Sequence, residues 1–297
     1  MSKKDVAIRK SLSRFSGPRW SERRSMTKSK LWLTTVIGTL FIIAAAAQDT
    51  AALSTNSAAD YLVKARGLCE SKNFAECLKA YEQAAQLDPA NLEAVSGQFF
   101  SLVELKRGDD GEKVLDKWAA AEPDNPGRWR VMAFLAAQAN RPEGALKGFE
   151  KLTELQPGDG SNWVGKGEML EALKRDEEAL RSYDQAIALA PKHEAAWSDR
   201  GNVLLRLGKY DEAIPSYDKA IELSPKWADP FYGRACAYAR KGDKTNALAD
   251  LKRAIEFVVD PSVSGSSTAK SRLKTRARND ENFRSLVDEP DFKKLTE

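Results

Sequence analysis

The sequence predicts an all-α protein, a helix-turn-helix α-solenoid of about six units with an N-terminal membrane segment. Three observations carry that expectation. Pro89, Pro123, Pro157, Pro191 and Pro225 each stand 34 residues after the last. Small residues recur at one register of that spacing and large ones four residues further on. An uncharged run, Leu31 to Ala47, follows a strongly basic leader.

With each proline set as position 32 of a 34-residue unit, position 4 reads Tyr61, Val95, Trp129, Trp163, Trp197 and Phe231. Position 20 is small throughout (Cys77, Gly111, Ala145, Ala179, Ala213, Ala247), and position 24 is large (Tyr81, Leu115, Phe149, Tyr183, Tyr217, Leu251). Positions 4, 7, 8 and 11 share one stripe of a first helix, A, and positions 20, 24 and 27 one stripe of a second, B. Small residues let the helices approach and large ones fill the gap. Each hairpin alone leaves apolar surface bare, so the units must stack. Asn125-Pro126 and Asp229-Pro230 each set a capping residue before a first-turn proline, and the position-32 prolines stop helix B. Pro215, about one turn into a B helix, is expected to remove a backbone hydrogen bond and bend that helix slightly.

Residues 58–261 thus resemble the tetratricopeptide repeat family, most completely in the fifth unit, where Trp197, Gly201, Leu204, Gly208, Tyr210, Ala213, Tyr217, Ala220 and Pro225 all match. The resemblance implies that helix A, at positions 2, 5, 9, 12 and 13, lines a concave groove for partner segments. Units one to three place Leu62, Phe100, Val103, Arg130 and Phe134 there; units four to six place Glu168, Glu171, Ser198, Asn202, Arg206 and Tyr232. An apolar end and a polar, partly acidic middle suit a helical or extended peptide with apolar anchors and a basic flank. The alternative is that Phe100 and Phe134 merely pack between units. The clamp that some members use for a terminal carboxylate needs Lys and Asn at positions 5 and 9, and Asn202 has Ser198 in place of that Lys.

Unit two departs most from the pattern. Phe99 takes position 8, normally small, opposite Gly111; Val95 replaces the position-4 aromatic, and Trp118 the small residue at position 27. Either bulk is redistributed or the unit is loosened. Beyond unit six, a Gly/Ser linker, "DPSVSGSS", precedes the basic stretch "TAKSRLKTRAR", in which Ala269, Leu273 and Ala277 form a narrow apolar stripe. Phe283/Leu286 and Phe292/Leu295 can then dock as two short helical turns, so residues 262–297 are expected to cap the array; an independent binding motif is the alternative.

Residues 1–30 carry ten Lys/Arg against Asp5 and Glu22, which leaves the remainder about −4 and gives the folded part no basic nucleic-acid face. The seventeen residues 31–47 can form about 25 Å of helix, enough for a bilayer core. No Lys or Arg follows until Lys64, so the leader is expected in the cytoplasm and the repeats, beyond the linker 48–57, on the exocytoplasmic side. A cleaved signal is the alternative: "AAAAQDT" offers an A-x-A-type site, and "RRSMTK" loosely resembles a twin-arginine signal at Arg23, Arg24 and Lys28. The protein would then be secreted or periplasmic.

His193, the single histidine, lies in a loop, which leaves no raw material for a histidine metal site or acid-base pair. Gly165 and Gly167 fall inside helix A with no strand before them, against a phosphate loop. Pairs such as Asp211/Glu212 belong to first turns of B helices, where the dipole favours acids. No catalytic residue, metal or cofactor is therefore expected. The function expected is a membrane-tethered scaffold that holds a protein or peptide partner; the rival is an exported, self-associating envelope assembly protein. Cys69 and Cys77, at positions 12 and 20, flank the first turn and can bridge in an exported chain, the alternative being two buried thiols, with Cys236 unpaired in both cases.

Overall fold

A computed structural model describes residues 57–258 and 266–297. Among the described residues there are fourteen α-helices and one 3-10 turn. The leader 1–30, the expected membrane segment 31–47 and nearly all of the linker 48–57 lie outside them. No helix among the described residues is long and apolar enough to cross a membrane.

Twelve helices form six hairpins: α1 (Ala58–Glu70) with α2 (Phe74–Leu87), α3 (Leu92–Glu104) with α4 (Gly108–Ala120), α5 (Pro126–Gln138) with α6 (Pro142–Leu155), α7 (Gly160–Ala172) with α8 (Asp176–Leu189), α9 (Glu194–Arg206) with α10 (Tyr210–Leu223), and α11 (Ala228–Lys241) with α12 (Lys244–Phe257). Every A helix begins 34 residues after the previous one, as does every B helix. Side chains define the starts. Ser57 and Asp60 form a capping box on α1, and Asn91, Asn125 and Asp159 accept backbone N–H groups at α3, α5 and α7. His193 does the same for α9 through Nδ1, 3.3 Å from the Ala196 nitrogen, so the lone histidine caps a helix. Asp229 does not cap. Helix α11 starts one residue before it, and its carboxylate accepts from Trp227 Nε1 at 3.1 Å. Helix α10 runs unbroken through Pro215.

Each A-to-B turn is closed the same way. The position-16 N–H reaches back to the position-11 carbonyl at 2.8–2.9 Å, from Asn73 to Leu68 in the first unit through to Asp243 to Tyr238 in the last. That bond needs a left-handed residue at position 15. Lys72, Lys106, Asn140, Lys174, Gly208 and Gly242 supply it, with φ between 57° and 82°.

The core follows the periodic positions. Position 20 is buried in all six units, and the position-24 side chain is fully buried in Leu115, Tyr183, Tyr217 and Leu251. Glycines make room for the rings. An added Cβ would stand 2.7 Å from the Tyr183 ring at Gly167 and 2.7 Å from the Tyr217 ring at Gly201. Glycines at position 6 of the next unit also receive position-24 rings, Gly97 for Tyr81, Gly165 for Phe149 and Gly233 for Tyr217, so that Tyr217 lies between two glycines. The two most visible sequence signals prove to be one contact, since Trp129, Trp163 and Trp197 each donate Nε1–H to the carbonyl of the preceding position-32 proline at 2.8–3.0 Å. In unit two Phe99 is fully buried on Gly111, whose added Cβ would lie 3.0 Å from its ring, so bulk there is redistributed between helices.

Past the array, α13 (Ser266–Asn279), the 3-10 turn Glu281–Phe283 and α14 (Pro290–Thr296) fold back on the last hairpin. Ala277, Phe283, Leu286 and Phe292 enter one cluster with Tyr232, Cys236, Ala239 and Leu251, with Leu273 and Leu295 against it. The apolar surface of the last hairpin is thereby covered.

Candidate functional site

Consecutive A helices touch directly at three joints, α1 with α3, α7 with α9 and α9 with α11. The expected groove runs along the A helices. At its N-terminal end Phe134 is 38% exposed, the one aromatic side chain among the large exposed apolar residues described. Phe100, one unit earlier at the same register, is half-buried; it meets Phe99 edge-on at 5.2 Å and packs with Val103 against the core of units two and three. Phe100 therefore belongs partly to the core. Arg130 is exposed, with Nη2 2.9 Å from Gln156 Oε1 and 3.5 Å from Asp159 Oδ2, so it sits at the rim of the next loop.

Three expected groove residues are buried. Leu62 is 8% exposed within the first hairpin's core, Ser198 1% and Tyr232 4%. On α1, α9 and α11 the neighbouring helices close position 5, whereas on α5 the same position leaves Arg130 exposed. Tyr232 is further covered by the tail: its hydroxyl donates to Asp280 at 2.8 Å, Arg276 stacks over its ring at 4.3 Å, and Phe283 meets it edge-on at 5.6 Å. The C-terminal end of the groove is thus filled by the chain itself.

The polar middle is engaged internally as well. Glu171 accepts from the Tyr183 hydroxyl at 2.7 Å and from Arg206 at 2.9 Å, while Arg206 also pairs with Asp176 at 2.7 Å. Burial pulls the Arg206 guanidinium down, but Asp176 and Glu171 outweigh it and hold the group above its ordinary range. Burial pushes the Tyr183 hydroxyl well up, which keeps it a donor to Glu171. Asn202 accepts from the Tyr217 hydroxyl at 2.9 Å. Glu168, on the same helix as Glu171, is half-buried. Of the expected apolar groove residues Phe134 alone stays exposed, while Phe100 and Val103 are half-buried against the core and Leu62 is buried.

Two features escaped sequence reasoning. Arg66 and Glu93 form a bidentate pair at 2.6 and 2.7 Å across the first joint, legible only as opposite charges 27 residues apart. Arg128 is buried between units two and three: it donates to the Trp118 carbonyl at 2.6 Å, lies 4.8 Å from that indole and pairs with Glu122. The sulfurs of Cys69 and Cys77 meet with disulfide geometry across the first turn, their Cα atoms 5.4 Å apart, and Cys236 is buried and free.

A tetratricopeptide repeat model matches residues 9–190, and three further models of the repeat match residues 182–214, 201–242 and 228–257. No curated protein matches the chain. Among solved structures, a crystal structure of MamA is 22% identical, with a TM-score of 0.47 over 52% of this chain and 93% of that one. MamA from Desulfovibrio magneticus RS-1 gives 22% and 0.46 over 55% and 94%. YrrB, described as a TPR protein with an unusual peptide-binding site, gives 21% and 0.46 over 65% and 98%. With more than half of its length matched by one family model, the chain belongs to the tetratricopeptide repeat family.

Proposed function

We propose that the protein is a membrane-tethered scaffold that holds a protein or peptide partner on the N-terminal half of its concave face. The observation that carries this reading is the exposed Phe134 ring, an apolar anchor point on an A helix, at the register that Phe100 occupies half-buried one unit earlier. Glu70 and Glu104 stand exposed at the last turns of α1 and α3, which favours a partner segment with apolar anchors and a basic flank. Residues 31–47 anchor the chain, residues 1–30 stay in the cytoplasm, and the array 58–261 with its cap 262–297 faces the exocytoplasmic side. Its role is selective binding, without a catalytic step.

A photo-crosslinking phenylalanine analogue at 134 in the full chain tests the site. It should yield a discrete adduct, whereas the same analogue at Leu87, exposed on a B helix, should not. Equal adducts at both positions would sink the groove assignment. Protease added outside spheroplasts tests the topology: the repeats should be digested, and protection until lysis refutes the orientation.

One observation favours the rival, self-associating reading. Val63 is 64% exposed at position 6, the register that in later units receives the preceding ring. A dimer that reverts to monomer on Val63→Asp would support it.

A further inference from the structure

Helix α13 carries Lys270, Arg272, Lys274, Arg276 and Arg278 and contains no Asp or Glu. Its apolar stripe turns inward, with Ala269 and Ala277 buried and Leu273 packed against the last hairpin; Arg278 is exposed, and Lys270 and Lys274 are half-buried beside the stripe with their ammonium ends free to reach outward. Arg276 is held over Tyr232. Lys270, Lys274 and Arg278 follow at intervals of four and form a row spaced about 6 Å along the axis. They make no ion pair with any described residue. The array treats its cations differently: Arg66, Arg141, Arg206 and Arg234 each bind carboxylates of a neighbouring unit.

We propose that the outer face of α13 docks on anionic phospholipid headgroups and lays the closed end of the array against a bilayer. The face offers charge without an anchor. Among the described residues none of the large exposed apolar side chains belongs to α13, so the desolvated centre of a protein interface is missing. No aromatic ring is present in the helix to stack unpaired bases. A plane of mobile anions needs neither, and each Lys or Arg near such a surface strengthens binding about fivefold. The inference rests on the proposed tether for its setting, because a chain already held at the membrane meets the headgroups at high effective concentration. Its chemistry is independent of the tether.

The test uses the full chain with neutral phosphatidylcholine vesicles and with vesicles enriched in phosphatidylglycerol. The rate of amine labelling is read at Lys270 and Lys274, with Lys192, exposed in the loop before α9, as reference. Labelling at 270 and 274 should slow only with the anionic vesicles and recover at high salt. Arg278→Gln should weaken that protection about fivefold without changing the melting temperature. Equal rates with both vesicles, protection with both, or protection by a polynucleotide in place of the anionic vesicles would each overturn the proposal. Alkaline extraction reads the tether separately: a chain released by carbonate yet protected at 270 and 274 defeats the anchor and leaves this face standing.

Discussion

The joint between units five and six and the joint between units two and three join the same kind of hairpin by opposite means. In the first, Tyr217 lies between Gly201 and Gly233, Ala220 at position 27 is fully buried, and residues 224–227 make the connection. In the second, Trp118 occupies position 27, α4 ends one residue sooner, and Arg128 fills the space beside the indole. The glycine joint satisfies its polar groups and leaves no slack. The tryptophan joint leaves Trp118 Nε1 and Asp116 Oδ1 buried without a partner among the described residues. The repeat therefore conserves volume more strictly than it conserves the contact that fills it.

That contrast can be broken at several points. Phe99→Ala should have the largest effect, about 3–5 kcal/mol in denaturant unfolding, because it empties a fully buried position that Gly111 cannot refill. A cost below about 1 kcal/mol would show unit two to be loosely packed after all. Gly233→Ala should cost about 1–3 kcal/mol, since the new Cβ would stand 2.5 Å from a ring that Gly201 already confines on the other side. If it is neutral, the ring is not held as tightly as described. Trp118→Phe should be neutral or stabilising by up to about 1 kcal/mol, because it deletes an unpartnered buried N–H while keeping most of the ring.

The smallest stability effect belongs to Phe134. Phe134→Ala should change unfolding by no more than about 0.5 kcal/mol yet weaken partner binding by roughly 1–2 kcal/mol. Phe100→Ala should lower both, because that ring leans on Phe99. Paired melting curves and titrations distinguish them: a Phe134 variant that unfolds as readily as the Phe100 variant would make position 9 a packing position throughout.

The register of the array was fully legible, because 34-residue periodicity, helix stripes and small/large alternation all report the same local geometry. The site was legible only in part. A helical wheel gives the direction in which Leu62, Ser198 or Tyr232 points, but not that α3, α11 or the tail arrives there. Likewise Glu171 and Arg206 look like open groove charges until the stacking of units brings them within 2.9 Å. Position 6 was missed for a related reason: Gly97, Gly165 and Gly233 have meaning only beside the ring of the preceding unit. What one helix dictates could be read, and what two neighbours decide together could not.

The left-handed turns have a consequence for how the molecule comes apart. Units five and six place glycine at position 15, whereas units one to four place Lys72, Lys106, Asn140 and Lys174 there. A lysine in that conformation costs about 1–2 kcal/mol relative to a relaxed backbone. In a one-dimensional stack, openings begin where neighbouring units are least favourable, so the array should fray from its N-terminal half while the tail-covered end stays shut. The Cys69–Cys77 pair spans the outermost of the strained turns and, when oxidised, keeps that fraying from starting at the very end. Hydrogen exchange should therefore be fastest in α3 to α6, and faster still in α1 and α2 after reduction. Because Phe100 and Phe134 sit on those opening helices, a bound partner should slow exchange there most, which would make occupancy of the groove and closure of the array one event.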